Sequence, residues 1–195
     1  MKSFSDYFKF IWGVVQNPKR AGAIAETGKA VSLELIDKIN FEKANLIVEI
    51  GVGGGAITKH IRTRIKSPSQ YLGIEINPHF VKSLKKKFPE LSFELGSAEN
   101  LKEIIENKGF KEIDFVVSAL PWSLLPDSLQ IRILDQIKNT LVDGGGFNAI
   151  GYMGTGLTPS GRRFKANLVH RFKIFEPSRM IYENIPPGRV YHCYK

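Results

Sequence analysis

The sequence is poor in the residues that build disulfide frameworks and metal centres. Its one cysteine, Cys193, excludes an intrachain disulfide and favours a reducing compartment. Its four histidines are scattered, without an HxxxH or a Cys/His ligand spacing. We therefore expect no metal site.

Other signatures are missing as well. No apolar run approaches the roughly 20 residues that span a bilayer, and no secretory cleavage pattern follows the N-terminus. No P-loop lysine and no Gly-x-Ser-x-Gly elbow occur, which argues against kinase and hydrolase chemistry. These absences favour the cytoplasm. The length of 195 residues predicts a single domain spanning residues 1–195, which we expect to be a monomer.

Acidic residues are fewer than basic ones. The chain has 28 Lys and Arg against 19 Asp and Glu, a formal net charge of +9. Such an excess predicts a polyanionic partner, either nucleic acid or a phospholipid surface, and charge alone does not choose between them.

What the sequence does contain is a regular alternation of strand and helix patterns. Strand patterns cover residues 45–50, 70–76, 91–95, 113–119 and 146–152. Helix-length segments cover residues 56–66, 78–88, 99–108 and 127–141. This alternation predicts an α/β fold, with a mostly parallel sheet between two helical layers.

Residues that typically start or stop helices support these boundaries. Asn77-Pro78 and Pro126-Asp127 are typical helix starts, and the segment 143–146, Asp followed by three glycines, is expected to stop the last helix before its strand. Residues 172–185 and 189–194 are predicted to add an antiparallel hairpin. The expected architecture is a three-layer Rossmann-like fold with seven strands.

The most informative segment is the glycine loop after the first strand. Gly51, Gly53 and Gly55 allow backbone conformations and ligand approaches that a Cβ would forbid, and the next helix points its amides at the loop. Taken alone, Gly51-x-Gly53-x-x-Ala56 also fits the loose dinucleotide fingerprint. The loop predicts a nucleotide-type pocket without naming the cofactor.

Three acidic residues distinguish the possible cofactors. Glu75 ends the second strand, where a carboxylate can accept hydrogen bonds from ribose hydroxyls. Glu99 follows the third strand, where a carboxylate can accept a hydrogen bond from an adenine amino group. Glu49 precedes the glycine loop. A pyrophosphate gains little from a carboxylate there, whereas the ammonium and sulfonium of S-adenosylmethionine are favoured electrostatically. We therefore predict S-adenosylmethionine.

These residues resemble motifs I to IV of the class I methyltransferases. The matching motifs are Glu49-x-Gly51-x-Gly53-x-Gly55, Glu75, Gly96-Ser97-Ala98-Glu99 and Ala119-Leu120-Pro121-Trp122. Further segments are similar to the soluble bacterial phospholipid N-methyltransferases: Asn17-Pro18-Lys19, Gly22-Ala23-Ile24, Tyr71-Leu72-Gly73-Ile74-Glu75, Gly161-Arg162-Arg163-Phe164 and Asn184-Ile185-Pro186-Pro187. The resemblance covers nearly the whole chain.

This resemblance implies methyl transfer from S-adenosylmethionine to the amine of phosphatidylethanolamine, with S-adenosylhomocysteine as product. The expected cofactor-binding residues are Glu49, Gly51, Gly53, Gly55, Glu75, Ile76, Ser97, Ala98, Glu99, Ser118 and Leu120.

The methyl acceptor is expected beyond the fourth strand. Pro121 and Trp122 leave the sheet beside the expected methyl group, and the indole face is expected to stabilise a methylated amine, the alternative being an aromatic plug over the core. Tyr152 is expected to relay the amine proton, unless it is a core tyrosine. Arg162 and Arg163 suit a lipid phosphodiester, although a solvated turn before a basic helix is the alternative.

The N-terminal segment has a broad aromatic side. Residues 1–16 are predicted to form an amphipathic helix, which with Lys19-Arg20 suits a helix lying in the lipid interface. A lid across the core is an equal alternative. The interpretation as an anchor predicts peripheral association with the inner membrane face.

Two other functions remain open. An rRNA adenine N6-dimethyltransferase shares the cofactor domain, the basic surface and an Asn/Asp-Leu-Pro-Tyr/Phe motif. Here Ala119 offers no acceptor for an adenine amino group, and the chain has no room for that family's extra helical domain. The third interpretation is a non-catalytic protein that binds S-adenosylmethionine or RNA. The intact acids and the Leu-Pro-Trp segment argue against it.

Overall fold

A computed structural model describes residues 27–195, whose strands form one seven-stranded sheet in the order β3-β2-β1-β4-β5-β7-β6. The strands are β1 (Ile47–Ile50), β2 (Tyr71–Glu75), β3 (Ser92–Leu95), β4 (Ile113–Ser118), β5 (Leu141–Tyr152), β6 (Ile174–Pro177) and β7 (Gly188–Tyr194). The first five pair in parallel, whereas β7 is antiparallel to both β5 and β6. The predicted fold class is confirmed.

Helices cover both faces of this sheet. They are α1 (Lys29–Asp37), α2 (Thr58–Arg62), α3 (Pro78–Lys87), α4 (Leu101–Asn107), α5 (Asp127–Thr140) and α6 (Pro159–Arg171). Short 3₁₀ turns lie at Pro68–Gln70, Ala98–Asn100, Trp122–Leu124 and Thr155–Leu157. Apolar side chains of α1 to α3 pack on one face of the sheet, and those of α4 to α6 on the other. Strands β1 and β2 are therefore buried on both sides, as parallel strands usually are.

The strand order reverses between β1 and β4. Strands β2 and β3 lie on one side of β1, and β4 and β5 follow on the other. In open α/β sheets, ligands bind at the carboxyl ends of the strands beside such a reversal. Both the glycine loop and the segment 119–122 leave the sheet at this point.

Two predicted boundaries need correction. Strand β5 begins at Leu141, so the Asp-Gly-Gly-Gly segment lies inside the strand and not before it. The β4–β5 register jumps there from Ile113↔Leu141 to Phe115↔Gly146, and a Cβ on Gly146 would collide with the Phe115 ring. Strand β6 ends at Pro177, well short of residue 185, because the Val190 amide of β7 donates to the Ser178 side chain (3.0 Å) and not to a backbone carbonyl.

Helix α1 was not predicted and helix α6 was expected only as one alternative. The start of α6 carries an ordinary signal, since Thr158 accepts a hydrogen bond from the amide of Gly161 (3.0 Å) before Pro159. Helix α1 is held by a long-range contact, in which the Asn148 side chain donates to the Leu35 carbonyl (2.8 Å). The predicted helix over residues 1–16 and the motifs over residues 17–24 lie outside the described residues.

Candidate active site

A cavity of about 250 Å³ opens at the carboxyl edge of the sheet, beside the β1/β4 reversal. Nine of the predicted site residues line it: Gly51, Gly53, Glu75, Ile76, Ser97, Ala98, Glu99, Leu120 and Pro121. The other predicted residues lie outside its wall: Glu49, Gly55, Ser118, Trp122, Tyr152, Arg162 and Arg163. Sequence reasoning missed several wall residues, among them Thr27, Phe80, Leu125, Leu129 and Ile133.

The three glycines of the loop serve different purposes, although all have positive φ. A Cβ on Gly51 would stand 2.6 Å from Leu120, so this glycine lets the loop meet the segment after β4. A Cβ on Gly55 would stand 2.7 Å from the Phe88 ring, which makes it a packing position against α3. A Cβ on Gly53 would have no atom within 4 Å. Only Gly53 therefore leaves open space at the cavity wall.

Glu75 holds the loop in place. Its Oε2 accepts a hydrogen bond from the Gly53 amide and its Oε1 accepts one from the Asn77 amide, both at 2.8 Å. Burial raises the pKa of Glu75, and the backbone amides oppose that rise by stabilising the carboxylate. Each oxygen keeps a lone pair, so the carboxylate can also accept hydrogen bonds from the hydroxyl groups of a ligand.

Glu49 lies beneath the loop, on the α1–α3 side of the sheet. Ile50 lines the cavity, and alternation along β1 turns the preceding side chain to the opposite face. Thr58 and Tyr71 each donate a hydrogen bond to Glu49 Oε2 at 2.8 Å. Its Oε1 is buried without a hydrogen-bond partner among the described residues. Glu49 thus lies behind the cavity wall, and its predicted role in cofactor binding stays a prediction.

Burial raises the pKa of Glu49 to about 7, and the nearby Glu75 carboxylate adds to this rise. Between about pH 4.5 and 7 the unfolded carboxyl is ionised while the folded one keeps its proton. The free energy of unfolding is therefore expected to fall by about 3 kcal/mol across this window as pH rises. In Glu49→Gln that fall should shrink markedly. Urea unfolding at pH 5 and pH 8 measures it.

The matched control is Glu94→Gln, which removes a half-exposed carboxylate paired with Lys108. This variant should keep the pH dependence of the wild type. A pH dependence that is unchanged in Glu49→Gln would contradict the assignment of a proton to the buried carboxyl.

The far end of the cavity combines acidic and apolar groups. Glu99 Oε1 contacts Arg132 Nε at 2.5 Å, and its Oε2 accepts a weak hydrogen bond from Ser97 Oγ at 3.4 Å. Leu129 and Ile133 of α5 line the same region. A planar base could lie against this apolar wall, with a carboxylate at the edge of the base.

Trp122 belongs to the core and not to the cavity wall. Its indole is only 2% exposed and stacks on Phe164 with ring centroids 4.6 Å apart and an interplanar angle of 9°. The Phe147 ring packs edge-on at 5.9 Å. The expected indole face for a methylated amine is therefore corrected to the alternative, an aromatic plug. The covering ring comes from α6.

A buried glutamine that sequence reasoning missed shapes the segment after β4. The side-chain amide of Gln130 donates to the carbonyls of Trp122 (2.8 Å) and Leu125 (3.0 Å). Ser118 is also buried, and its Oγ accepts a hydrogen bond from the Leu120 amide at 3.3 Å. These contacts hold Leu120 and the neighbouring proline against the cavity without placing Ser118 on its wall.

Tyr152 is not part of the cavity wall, but it contacts a residue that is. Its side chain hydrogen-bonds to Thr27, which lines the cavity. Burial raises the pKa of the Tyr152 phenol, so the group is a neutral hydroxyl at neutral pH and not a strong base. Its predicted role in proton transfer stays a prediction.

The two arginines of the predicted phosphate site lie on α6. Arg163 forms an ion pair with Asp127. Arg162 is exposed and borders a surface groove with Lys165 and His170. The structure therefore does not bring the pair together as one clamp at the cavity.

S-adenosylmethionine fits this site on three observations. The acidic side chains Glu75 and Glu99 line the cavity, so a cationic ligand is favoured there electrostatically. The carboxylate of Glu75 can accept ribose hydroxyls, and the open space at Gly53 admits a ligand close to backbone. Within residues 27–195, no three His, Cys, Asp or Glu side chains are grouped to hold a metal ion, and no helix is long and apolar enough to cross a membrane.

Comparison with known proteins agrees with this geometry. The model of a family described as a methyltransferase domain matches residues 47–145. The chain is 29% identical over 191 residues to an ornithine lipid N-methyltransferase of Singulisphaera acidiphila, covering 96% of this chain and 95% of that protein. A ribosomal RNA small subunit methyltransferase A of Mycoplasma capricolum is 31% identical over 100 residues, covering 49% of this chain and 36% of that protein.

A solved structure shows the same fold. An O-methyltransferase from Bacillus cereus, crystallised with S-adenosylhomocysteine, superposes with a TM-score of 0.69 at 13% identity, covering 96% of this chain and 91% of that chain. At this identity the likeness concerns the fold alone.

Proposed function

Because this chain belongs to the methyltransferase domain family, as a class I S-adenosylmethionine-dependent methyltransferase, we propose that it methylates the primary amine of a membrane-lipid headgroup. The observation that carries this proposal is the end-to-end similarity to a lipid N-methyltransferase. The similarity to the ribosomal RNA enzyme covers only 49% of this chain and 36% of that protein.

The segment after β4 also favours a lipid amine over an adenine. Ala119 lines the cavity where a side-chain acceptor would be needed to hold an adenine amino group. The remaining wall on this side is apolar, with Leu120, Pro121 and Leu125. An alkyl amine needs no such acceptor, because it is positioned by the rest of its lipid.

The reaction needs a neutral amine in line with the methyl donor. When bound, S-adenosylmethionine supplies an electrophilic methyl group on its sulfonium. The apolar residues Leu120, Pro121 and Leu125 exclude water, which lowers the pKa of an ammonium group and favours its deprotonation. Tyr152, which hydrogen-bonds to Thr27 on the cavity wall, is the residue we assign to pass that proton towards solvent.

Phosphatidylethanolamine is the acceptor we propose to test first, and an ornithine lipid is the second, since the full-length relative is named for it. Both carry a primary amine. Arg163 is already paired with Asp127, so Arg162 is the residue we assign to a lipid phosphate. The enzyme would act from the cytoplasm at the inner membrane face, with residues 1–16 as a further membrane contact.

One assay separates the candidate substrates. The full-length protein is incubated with labelled S-adenosylmethionine and, separately, with vesicles of phosphatidylethanolamine, vesicles of ornithine lipid, or unmodified rRNA. We expect label in one or both lipids and none in rRNA. Vesicles of phosphatidylcholine, which has no free amine, are the control. Label in rRNA and in no lipid would overturn the proposal.

A further inference from the structure

Two loops at the end of β5 carry strongly exposed apolar side chains. Among residues 27–195, the three most exposed large hydrophobic side chains are Ile185 (80%), Leu157 (79%) and Tyr182 (70%). All three lie either in residues 153–158, just after β5, or in residues 178–187, between β6 and β7. Scattered exposed apolar residues are ordinary on protein surfaces, but a concentration of the most exposed ones marks an interaction site.

The two loops are joined by a backbone contact. The amide of Met153 donates a hydrogen bond to the carbonyl of Pro187 at 2.7 Å, and Met153 is itself half-exposed. The loops therefore present their apolar side chains on one part of the carboxyl edge of the sheet. We call this set the apolar rim, which consists of Met153, Leu157, Tyr182 and Ile185.

The apolar rim borders the cofactor cavity. Tyr152, which directly precedes Met153, hydrogen-bonds to Thr27 on the cavity wall. In the second loop, the buried Asn184 side chain accepts a hydrogen bond from the Gly28 amide at 2.7 Å. Each loop is thus tied, next to a rim residue, to the short segment that walls the cavity.

Cationic side chains flank the rim. Arg162 and Lys165 line a surface groove on α6 that begins at Gly156, beside the most exposed leucine. Glu183 is the exposed acid within the second loop, and Asp127 is neutralised by Arg163. Apolar tips next to cations are the combination that suits the interface of an anionic bilayer, where apolar groups enter the acyl boundary and cations meet headgroups.

We propose that the apolar rim inserts into the surface of an anionic lipid bilayer, with Arg162 and Lys165 against its headgroups. This inference rests on the proposed lipid substrate and names the surface that would present it. Insertion at the rim would bring lipid headgroups to the edge of the cavity that holds the methyl donor. The formal net charge of +9 favours the same partner.

The test uses the full chain and vesicles of phosphatidylcholine containing phosphatidylglycerol. Neither lipid has a primary amine, so binding is scored separately from methyl transfer and survives if the proposed acceptor is wrong. Leu157→Glu with Ile185→Glu should weaken vesicle partitioning at least about tenfold in co-sedimentation. Arg162→Ala and Lys165→Ala should each weaken it about fivefold.

The matched control is Ile174→Glu. Ile174 is also an exposed isoleucine, but it pairs with Tyr194 near the opposite, amino edge of the sheet. We expect wild-type partitioning from this variant. Unchanged partitioning of the double glutamate variant, or an equal loss in Ile174→Glu, would overturn the proposal. Unchanged partitioning with a lowered melting temperature would instead place the rim against residues 1–26.

A labelling measurement covers the case in which the double variant does not fold. The native Cys193 is buried, and burial raises the pKa of its thiol, so it should resist labelling. Leu157→Cys carrying an environment-sensitive fluorophore should shift its emission to the blue on adding anionic vesicles. Ile174→Cys should show no shift. The absence of a shift at position 157 would overturn the proposal.

Discussion

Replacing Glu75 by Gln is expected to lower the affinity for S-adenosylmethionine at least about 100-fold. The carboxylate accepts hydrogen bonds from the amides of Gly53 and Asn77 at 2.8 Å. It has lone pairs left to accept hydrogen bonds from ribose hydroxyls. A glutamine side chain retains one acceptor oxygen and turns an NH₂ group towards one of those amides. The variant loses charge-assisted hydrogen bonds to the ligand and also leaves a buried amide unpaired. Isothermal titration with S-adenosylmethionine measures the loss.

The control for this result is again Glu94→Gln, which removes a carboxylate from the neighbouring strand β3 outside the cavity wall. It should bind the cofactor as the wild type does. Urea unfolding should show Glu75→Gln folded, with a stability lower by about 2 kcal/mol. Wild-type affinity in a folded Glu75→Gln protein would refute the role of this carboxylate.

Gly53→Ala is expected to reduce cofactor binding at least about tenfold while costing only about 1 kcal/mol of stability. The glycine has φ +55°, so an alanine there is mildly strained. No atom lies within 4 Å of the added methyl group, which would stand in open space at the cavity wall. The methyl group therefore obstructs a ligand that must approach the backbone closely.

Gly144→Ala separates strain from obstruction. Gly144 also has positive φ and no atom within 4 Å of a built Cβ, but it lies near the start of β5 and outside the cavity wall. Thermal unfolding should show similar losses for both variants, whereas only Gly53→Ala should lose affinity in titration. Equal affinity in the two variants would mean that the loop does not hold the ligand.

Nine residues of the cavity wall were predictable, because their placement depends on strand order and strand ends. In a parallel sheet the carboxyl ends of neighbouring strands meet at one edge, so residues following β1, β2 and β3 converge there. Gly53, Glu75 and Ser97 follow or end those strands, and all three line the cavity. No long-range contact had to be known to place them.

The misplaced residues depend on what packs against them. Trp122 follows β4 as expected, but its ring is covered by Phe164 from α6, a helix that begins only at Pro159 and whose docking leaves no local signature. Gly55 has the same positive φ as the other loop glycines, yet it faces Phe88 beyond the end of α3. The position of Glu49 was predictable in part. Side chains alternate along β1, so Glu49 and Ile50 lie on opposite faces of the sheet.

The fold class and the methyl donor follow from the sequence alone, since strand–helix alternation, loop glycines and acids at strand ends are local features found directly along the chain. Packing then decided which of those residues line the cavity and which lie behind its wall. It placed Glu49 and Trp122 in buried contacts and gathered exposed apolar residues from two distant segments into the rim. Such placements depend on side chains far apart in sequence that meet only after the sheet and its helices have packed.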